Sequence, residues 1–263
     1  MLNPPPSASR PVALVTGAAR RIGREIALEL ARAGHDVALH CRSHRVEAER
    51  TLAELRALGV GAEIFAADLT DAGACPALVA AVVARFGRLD VLVNNASLFV
   101  HDDVESFDAD SMQRHWRINT VAPLLLARTL HAHLEQRAAR GCAVNLLDQK
   151  LWNPNPDYFS YTLSKAALEA ATTLLAMALA PRLRVAAVAP GVTLASADMS
   201  AAQFEQVHRM TPLGRSSTPA DIARAVRFIV ESPAITGSTL LVDGGQHLAA
   251  QRRDVLFLDA GSP

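Results

Sequence analysis

The sequence lacks the features that mark secreted, membrane-spanning and nucleic-acid-binding proteins. Its 263 residues include only three cysteines, Cys41, Cys75 and Cys142, which form no C-x-x-C or zinc spacing. Free thiols in a reducing compartment are therefore expected, and no metal site is predicted. No stretch approaches the roughly 18 uninterrupted apolar residues of a membrane span. The formal net charge is zero and no long run carries one sign, so nothing favours nucleic acid or a membrane surface as a partner.

The beginning of the chain, MLNPPPSASRP, also lacks the apolar core of a secretory signal, which takes about 7–15 residues. It is rich in proline and small residues. Residues 1–10 are therefore expected to form a disordered tail, and the protein is expected to be cytoplasmic.

What the sequence does contain is a regular alternation of apolar runs and helical patterns. Half of the residues are apolar, 50%, which is enough for one large domain. The strands are predicted at 12–16, 35–41, 62–68, 90–96, 142–148, 184–190 and 238–245, and the helices at 24–34, 46–58, 74–86, 108–138, 158–179 and 219–231. Strands that are apolar throughout need helices on both faces. With right-handed crossovers, this predicts an α/β domain over 11–248 with a doubly wound, seven-stranded parallel sheet.

One segment interrupts the alternation after the sixth strand. Residues 192–217 lie between a strand end and the next helix. They are expected at the carboxyl edge of the sheet, where ligands bind in such folds, and a lid is one role open to them.

A nucleotide-binding turn is predicted where the first strand meets the first helix. In TGAARRIG (16–23), Gly17 permits a tight turn and Gly23 a close helix approach. The free N–H groups at the helix N-terminus then suit a pyrophosphate.

The end of the second strand indicates which dinucleotide binds. NAD sites usually place an acid there for the ribose hydroxyls, but the sequence reads HCRSH. Arg42 and Ser43, helped by Arg20 or Arg21, suit a 2′-phosphate, so NADP(H) is favoured over NAD. The alternative is that Arg42 and His40 are ordinary solvated loop residues.

Together the motifs resemble the short-chain dehydrogenase/reductase family, which has a Rossmann-type fold. The resemblance covers about 11–247, in the order and at the spacings of the family. The matching elements are TGAARRIG (16–23), ADL (67–69), NNA (94–96), Asn119, Tyr161-x-x-x-Lys165, Pro190-Gly191 and VDGG (242–245).

Three departures from the usual family pattern indicate one branch. Arg21 replaces the middle glycine of the turn, Ser97 replaces the glycine of NNAG, and Asp148 replaces the serine thirteen residues before Tyr161. The pteridine reductases and bacterial dihydromonapterin reductases look like this. NNASLF also puts Phe99 where that branch stacks its pterin ring against the nicotinamide.

The resemblance implies a role for each matching residue. Tyr161 donates the proton, and Lys165 binds the nicotinamide ribose and lowers the pKa of the tyrosine, as a cation beside a phenol should. Asn119 holds a relay water, although a lone helical asparagine can also simply cap or kink its helix. The implied cofactor-binding residues are Gly17, Arg20, Arg21, Ile22, Gly23, His40, Arg42, Ser43, Asp68, Leu69, Asn95, Ala96, Ser97, Tyr161, Lys165, Pro190, Gly191 and Val192. The implied substrate-binding residues are Arg21, Ser97, Phe99, Asp148 and Tyr161.

The acid at position 148 bears on the substrate. Ketone reduction builds negative charge on oxygen, which an ionised carboxylate would repel. Reduction of a C=N bond instead requires a proton on nitrogen, which an acid bonded to the tyrosine can hold or relay. An NADPH-dependent reductase of a pteridine or dihydropterin is therefore expected. The alternatives are a carbonyl or 3-oxoacyl reductase of the same family and a catalytically silent NADP-binding regulator.

The resemblance also bears on assembly. Members of the family often pack their termini on a neighbouring subunit, and a homotetramer is common. The extension over 249–263, with its apolar run VLFL, is accordingly expected either at a subunit contact or as a loosely ordered tail.

Overall fold

A seven-stranded parallel sheet forms the centre of the computed structural model, which describes residues 10–195 and 199–257. The strand order is β3-β2-β1-β4-β5-β6-β7. The strands are β1 (Val12–Val15), β2 (Asp36–Cys41), β3 (Ala62–Ala66), β4 (Val91–Asn94), β5 (Gly141–Leu146), β6 (Leu183–Pro190) and β7 (Thr239–Val242). The predicted doubly wound α/β fold is thus confirmed.

Helices cover both faces of the sheet. They are α1 (Arg21–Arg32), α2 (Arg45–Ala57), α3 (Ala74–Phe86), α4 (Ala109–Trp116), α5 (Ala122–Gln136), α6 (Phe159–Leu179), α7 (Ala201–Arg209) and α8 (Pro219–Glu231). Helices α1, α2 and α8 pack in one core layer, and α3, α5 and the end of α6 pack in the other. Side chains of β1 alternate between the two, with Val15 in the first layer and Leu14 in the second. Because each face of the strand packs against a core layer, the side chains on both faces of the strand are apolar.

The sheet order creates a crevice at the carboxyl edge. The chain winds one way from β1 to β3 and the other way from β4 to β7, so β1 and β4 are neighbours. Ligands of open α/β sheets bind at such a reversal point. The turn after β1, the end of β4 and the loop after β5 all meet there.

The helix predicted at 108–138 has an interruption that the sequence pattern does not reveal. Helices α4 and α5 are joined by a π-helical turn over Arg117–Val121. Single π turns inside α-helices often occur at functional sites because they re-aim a side chain. Here the turn carries Asn119, which is fully buried.

The predicted insertion 192–217 contains α7, which was not predicted. Ser200 and Gln203 form a capping box at its start. Residues 196–198 are outside the described part of the chain, and the lid role of the segment stays a prediction.

Of the two predicted tails, only residue 10 of the first and residues 249–257 of the second are described. Residues 1–9 and 258–263 lie outside the description. Residues 249–257 pack on their own chain, with a short 3₁₀ turn at Val255–Phe257; the subunit contact predicted for the extension is untested. No helix in the described ranges has the length and apolarity to cross a bilayer.

Candidate active site

Two adjoining clefts occupy the crevice at the carboxyl edge. The first, which we call the cofactor cleft, has a volume of about 340 Å³, and the second, the catalytic cleft, about 330 Å³. Both reach the range of small-molecule sites, roughly 300–1,000 Å³. Their shared wall consists of Arg21, Ile22, Asn95 and Ser97. A ligand with two ends can therefore pass from one cleft into the other.

The turn after β1 has the close backbone packing that a phosphate-binding turn requires. Gly17 has φ +64°, a left-handed conformation that glycine adopts without strain. A Cβ on Gly23 would lie 2.4 Å from both the Asn95 side-chain nitrogen and the Gly17 carbonyl oxygen. Any side chain at position 23 would push the start of α1 away from β4.

His40 packs against this turn, and both of its ring nitrogens form hydrogen bonds within the protein. The Gly17 N–H donates to His40 Nδ1 at 3.2 Å. Nδ1 must then be unprotonated, so Nε2 carries the hydrogen and donates to the Ala67 carbonyl at 3.1 Å. Burial lowers the pKa of His40, which favours this neutral form. His40 thus positions the turn after β1, and its predicted role in cofactor binding stays a prediction.

Arg21 adopts a strained backbone to occupy the wall between the clefts. Its φ is +56°, a region that costs an L-residue roughly 1–2 kcal/mol and that glycine tolerates. This accounts for the family's preference for glycine here. Both terminal nitrogens of Arg21 donate to the Ala195 carbonyl at 3.1 Å. The guanidinium therefore links the start of α1 to the segment after β6.

The far end of the cofactor cleft is rich in positive charge. Arg20, Arg42 and Ser43 all line it, and all three are exposed. The acid at this end, Asp68, accepts bonds from the Thr70 N–H at 2.9 Å and the Thr70 hydroxyl at 2.8 Å. These hydrogen bonds lower the pKa of Asp68 and keep it ionised.

Asn119 lies behind the cleft wall and fixes the segment after β4. Its side-chain oxygen accepts from the Leu98 N–H at 2.8 Å and the Ser97 hydroxyl at 3.1 Å. Its side-chain nitrogen donates to the Leu98 carbonyl at 3.0 Å and the Ser164 hydroxyl at 2.9 Å. The side chain is fully engaged within the protein. The relay role predicted for Asn119 stays a prediction.

The catalytic cleft brings together Tyr161, Lys165 and Asp148, as their spacing in the sequence predicts. Tyr161, near the start of α6, donates its hydroxyl hydrogen to Asp148 Oδ2 at 2.9 Å. Asp148 is held in place because its other oxygen accepts the Lys150 N–H at 2.9 Å. One turn along α6, the Lys165 ammonium donates to the Leu146 carbonyl at 2.7 Å. Tyr161 and Lys165 are both buried.

The electrostatics of this group differ in one respect from the expectation. Burial and the neighbouring Asp148 carboxylate raise the pKa of Tyr161 well above 10, so the expected lowering by Lys165 is not the net effect. Desolvation also raises the pKa of Asp148. Burial lowers the pKa of Lys165 to about 8. The tyrosine is thus a protonated donor, and the carboxyl beneath it holds a proton more readily than a solvated aspartate.

Phe99 is placed to offer a ring face to a ligand. It lines the catalytic cleft and is 47% exposed. Its ring stacks on Tyr158 with centroids 4.1 Å apart, and it meets Tyr161 edge-on at 4.7 Å. Tyr158, a weaker catalytic candidate in sequence because Thr162 follows it at four residues, is buried and packs against the Phe99 ring.

Several wall residues of the catalytic cleft could not be found from motifs. They come from the loop after β5, the segment after β6 and the end of the chain, and they include Lys150, Leu194, Met199, Asp254, Val255 and Leu256.

Every predicted cofactor- and substrate-binding residue lines one of the two clefts. Asn119 lies behind them. The three cysteines are free and buried. Within the described ranges, no group of three His, Cys, Asp or Glu residues could hold a metal ion.

Comparison with known proteins gives a consistent family. The family model described as enoyl-(acyl carrier protein) reductase matches residues 17–247. Pteridine reductase 1 of Leishmania tarentolae is 33% identical, covering 92% of this chain and 98% of the relative. A 3-oxoacyl-[acyl-carrier-protein] reductase FabG of Staphylococcus aureus is 34% identical, covering 90% and 98%. The crystal structure of FolM alternative dihydrofolate reductase 1 from Brucella suis, in complex with NADP, is 42% identical with a TM-score of 0.87, covering 93% of this chain and 97% of that one.

Proposed function

The chain belongs to the short-chain dehydrogenase/reductase family and is an NADP-dependent oxidoreductase, and we propose that it reduces the C=N bond of a pteridine or dihydropterin. The observation that carries the proposal is the 2.9 Å hydrogen bond from Tyr161 to Asp148. Two relatives of matching chemistry support it, the Leishmania pteridine reductase and the Brucella alternative dihydrofolate reductase.

The cofactor cleft fits NADP(H). A Cβ at Gly23 would fill the space between the turn and β4, so the absence of a side chain there keeps the turn tight. The N-terminus of α1 suits the pyrophosphate. Arg42 and Ser43, with Arg20, would bind the 2′-phosphate, because arginine forms strong charge-assisted bonds to phosphate oxygens.

The bound NADPH would supply the hydride to the ring carbon of the C=N bond. The protein supplies the proton for the ring nitrogen from the Tyr161 hydroxyl. Asp148, which accepts the hydrogen bond of the Tyr161 hydroxyl, would then relay a proton from solvent back to the tyrosine. The Lys165 ammonium would orient the ribose, and Phe99 would stack on the flat heterocycle. The carbon gains the hydride and the nitrogen gains the proton, so the reaction adds two hydrogens to the bond.

Reduction of a 3-oxoacyl thioester is the second candidate. The FabG relative, 34% identical, favours it. Against it, the position of the usual serine donor is occupied by a carboxylate, which would repel the oxyanion of a ketone in reduction. A catalytically silent regulator is disfavoured because Tyr161 and Lys165 are assembled in one cleft.

The test is a substrate panel with the purified protein and NADPH. We expect NADPH oxidation with 7,8-dihydrobiopterin or 7,8-dihydrofolate and none with acetoacetyl thioesters. Brisk reduction of the thioesters with no turnover of any pterin would refute the proposal. Tight NADPH binding without turnover of any substrate would instead support the silent regulator.

We further propose, from the habits of the family, a cytoplasmic homotetramer. Sedimentation of the full-length protein tests the assembly, since a monomer over the working concentration range would contradict it.

A further inference from the structure

The end of the described chain forms part of the catalytic cleft. We call residues 251–257 the C-terminal strap. Its Asp254, Val255 and Leu256 line the cleft that also contains Asp148 and Tyr161. A segment outside all the recognised motifs therefore contributes a wall to the site of reaction.

The strap is held by the loop that connects the two catalytic residues. Arg253 Nε donates to Asp157 Oδ2 at 2.9 Å, and the Asp254 N–H donates to the same oxygen at 2.6 Å. The Asp157 side chain is only 2% exposed. An ionised carboxylate this deeply buried needs the partners that the strap supplies.

A second buried charge fixes the strap nearer to the reaction site. Lys150 is 3% exposed, and its ammonium donates to Asn155 Oδ1 at 2.6 Å and to Asp254 Oδ2 at 3.2 Å. Without Asp254, the buried cation would have no ion-pair partner among the described residues. The pair balances the strap's own carboxylate, and the neighbouring Val255 and Leu256 add apolar side chains to the wall of the cleft.

The strap also contacts the aromatic side chains beside the catalytic cleft. The Phe257 ring meets His101 with centroids 4.9 Å apart and Tyr158 at 6.4 Å. Tyr158 in turn stacks on Phe99. The strap and the predicted ring-binding surface are thus joined in one packed unit.

We propose that the C-terminal strap is a specificity-determining wall, in which Val255 and Leu256 contact the substrate and the Lys150–Asp254 ion pair holds them in place. The inference rests on the proposed function, because the substrate it describes is a compact planar heterocycle. Such a ring presents an apolar face and edge that an uncharged wall can cover without unpaired polar groups.

Full-length variants test the wall directly. Val255→Ser/Leu256→Ser should raise KM for 7,8-dihydrobiopterin about tenfold, the effect of losing modest apolar burial. KM for NADPH should stay within twofold, because the cofactor cleft is untouched. Arg252→Ala is the matched control: it lies in the strap, is exposed, and should leave both KM values unchanged. A double variant indistinguishable from this control would overturn the proposal.

The ion pair has its own readout. Asp254→Asn should raise KM for dihydrobiopterin and speed hydrogen exchange of the strap, while Asp254→Glu should restore part of both. In the wild type with NADP⁺, adding dihydrobiopterin should slow exchange of the strap. No change in strap exchange, either on adding the pterin or in Asp254→Asn, would contradict the proposal.

Failure of the proposed function is distinguishable from failure of the strap. If the wild type reduces acetoacetyl thioester and no pterin, the pterin function fails. The same variants are then assayed with the thioester, and an unchanged KM there would refute the strap as well. If the pterin is reduced but the strap variants behave like Arg252→Ala, only the strap proposal fails.

Discussion

Asp148 and Tyr161 share a hydrogen bond whose direction is set by their environment. The pKa of Tyr161 is raised by burial and by the carboxylate, so the hydroxyl stays protonated and donates to Asp148. The pKa of Asp148 is itself raised by desolvation. The aspartate thus adds, beside the tyrosine and lysine pair, a hydrogen-bond acceptor whose affinity for a proton is raised by burial.

At the residue scale, the pKa of Lys165 allows a prediction of how kcat/KM for NADPH depends on pH. Its pKa is lowered to about 8 by burial, so the free enzyme loses the ammonium above that pH. We expect kcat/KM for NADPH to fall above about pH 8, measured over a pH series at saturating pterin. The Lys165→Arg variant, which keeps its charge, should lack this limb, whereas an unchanged limb would assign it to another group.

The same pKa shift has a consequence for stability with a defined sign. The pKa of Lys165 in the folded protein lies below its value of 10.5 in the unfolded chain. Between these pH values the unfolded chain binds more protons at Lys165, so the contribution of this residue to stability rises with pH. Below about pH 8 the buried ammonium lowers the free energy of unfolding. Lys165→Met should therefore change the free energy of unfolding more favourably below about pH 8 than at about pH 10.

The strained backbone of Arg21 allows a prediction about the stability of its variants. Its φ of +56° should make Arg21→Gly more stable than Arg21→Ala by about 1 kcal/mol, since both lack the guanidinium and only alanine keeps the strained Cβ. At Arg20, where φ is −155°, the order should reverse. Urea unfolding of the four variants measures both differences, and the same order at both positions would contradict the assignment of strain.

At the element scale, the π-helical turn between α4 and α5 ties α6 to the cleft wall. Asn119→Ala would leave the Leu98 N–H without its partner and would remove one of the two hydrogen bonds of the buried Ser164 hydroxyl. We expect a loss of about 2 kcal/mol or more in unfolding free energy and a severalfold rise in KM for NADPH, because the wall moves.

The matched control for that prediction lies in the same turn. The Thr120 hydroxyl donates to the Ser164 carbonyl at 2.8 Å and makes no hydrogen bond to the segment after β4 among the described residues. Thr120→Val should therefore lower stability without changing KM for NADPH. Equal effects of the two variants on KM would mean that Asn119 has no special role in the wall.

The elements themselves were largely predictable. Apolar strands at regular intervals fixed all seven strands and the order of the helices to within a few residues, because burial on both faces leaves a clear pattern. The π turn was not predictable, since its apolar spacing continues that of an α-helix. Helix α7 was missed although Ser200 and Gln203 had the spacing of a capping box.

At the scale of the whole molecule, motif residues were predictable and wall residues were not. Gly17 and Gly23 belong to the connection after β1, and Tyr161 lies near the start of the helix that follows β5. Parallel strands bring both connections to the same edge of the sheet. Lys150 and Asp254, 104 residues apart, meet only because the C-terminal strap packs against the loop after β5. Such a contact depends on tertiary packing, and neither local pattern indicates it.

The whole-molecule account makes Asp148 the residue that separates this site from a ketone reductase. The most direct test is the ratio of kcat/KM for 7,8-dihydrobiopterin to that for an acetoacetyl thioester, in the wild type and in Asp148→Ser. We predict that the substitution lowers pterin turnover about 100-fold, the usual worth of a positioned acid, leaves NADPH affinity within about twofold, and shifts the ratio towards the thioester. An unchanged ratio, or pterin turnover that survives the substitution, would contradict the central claim.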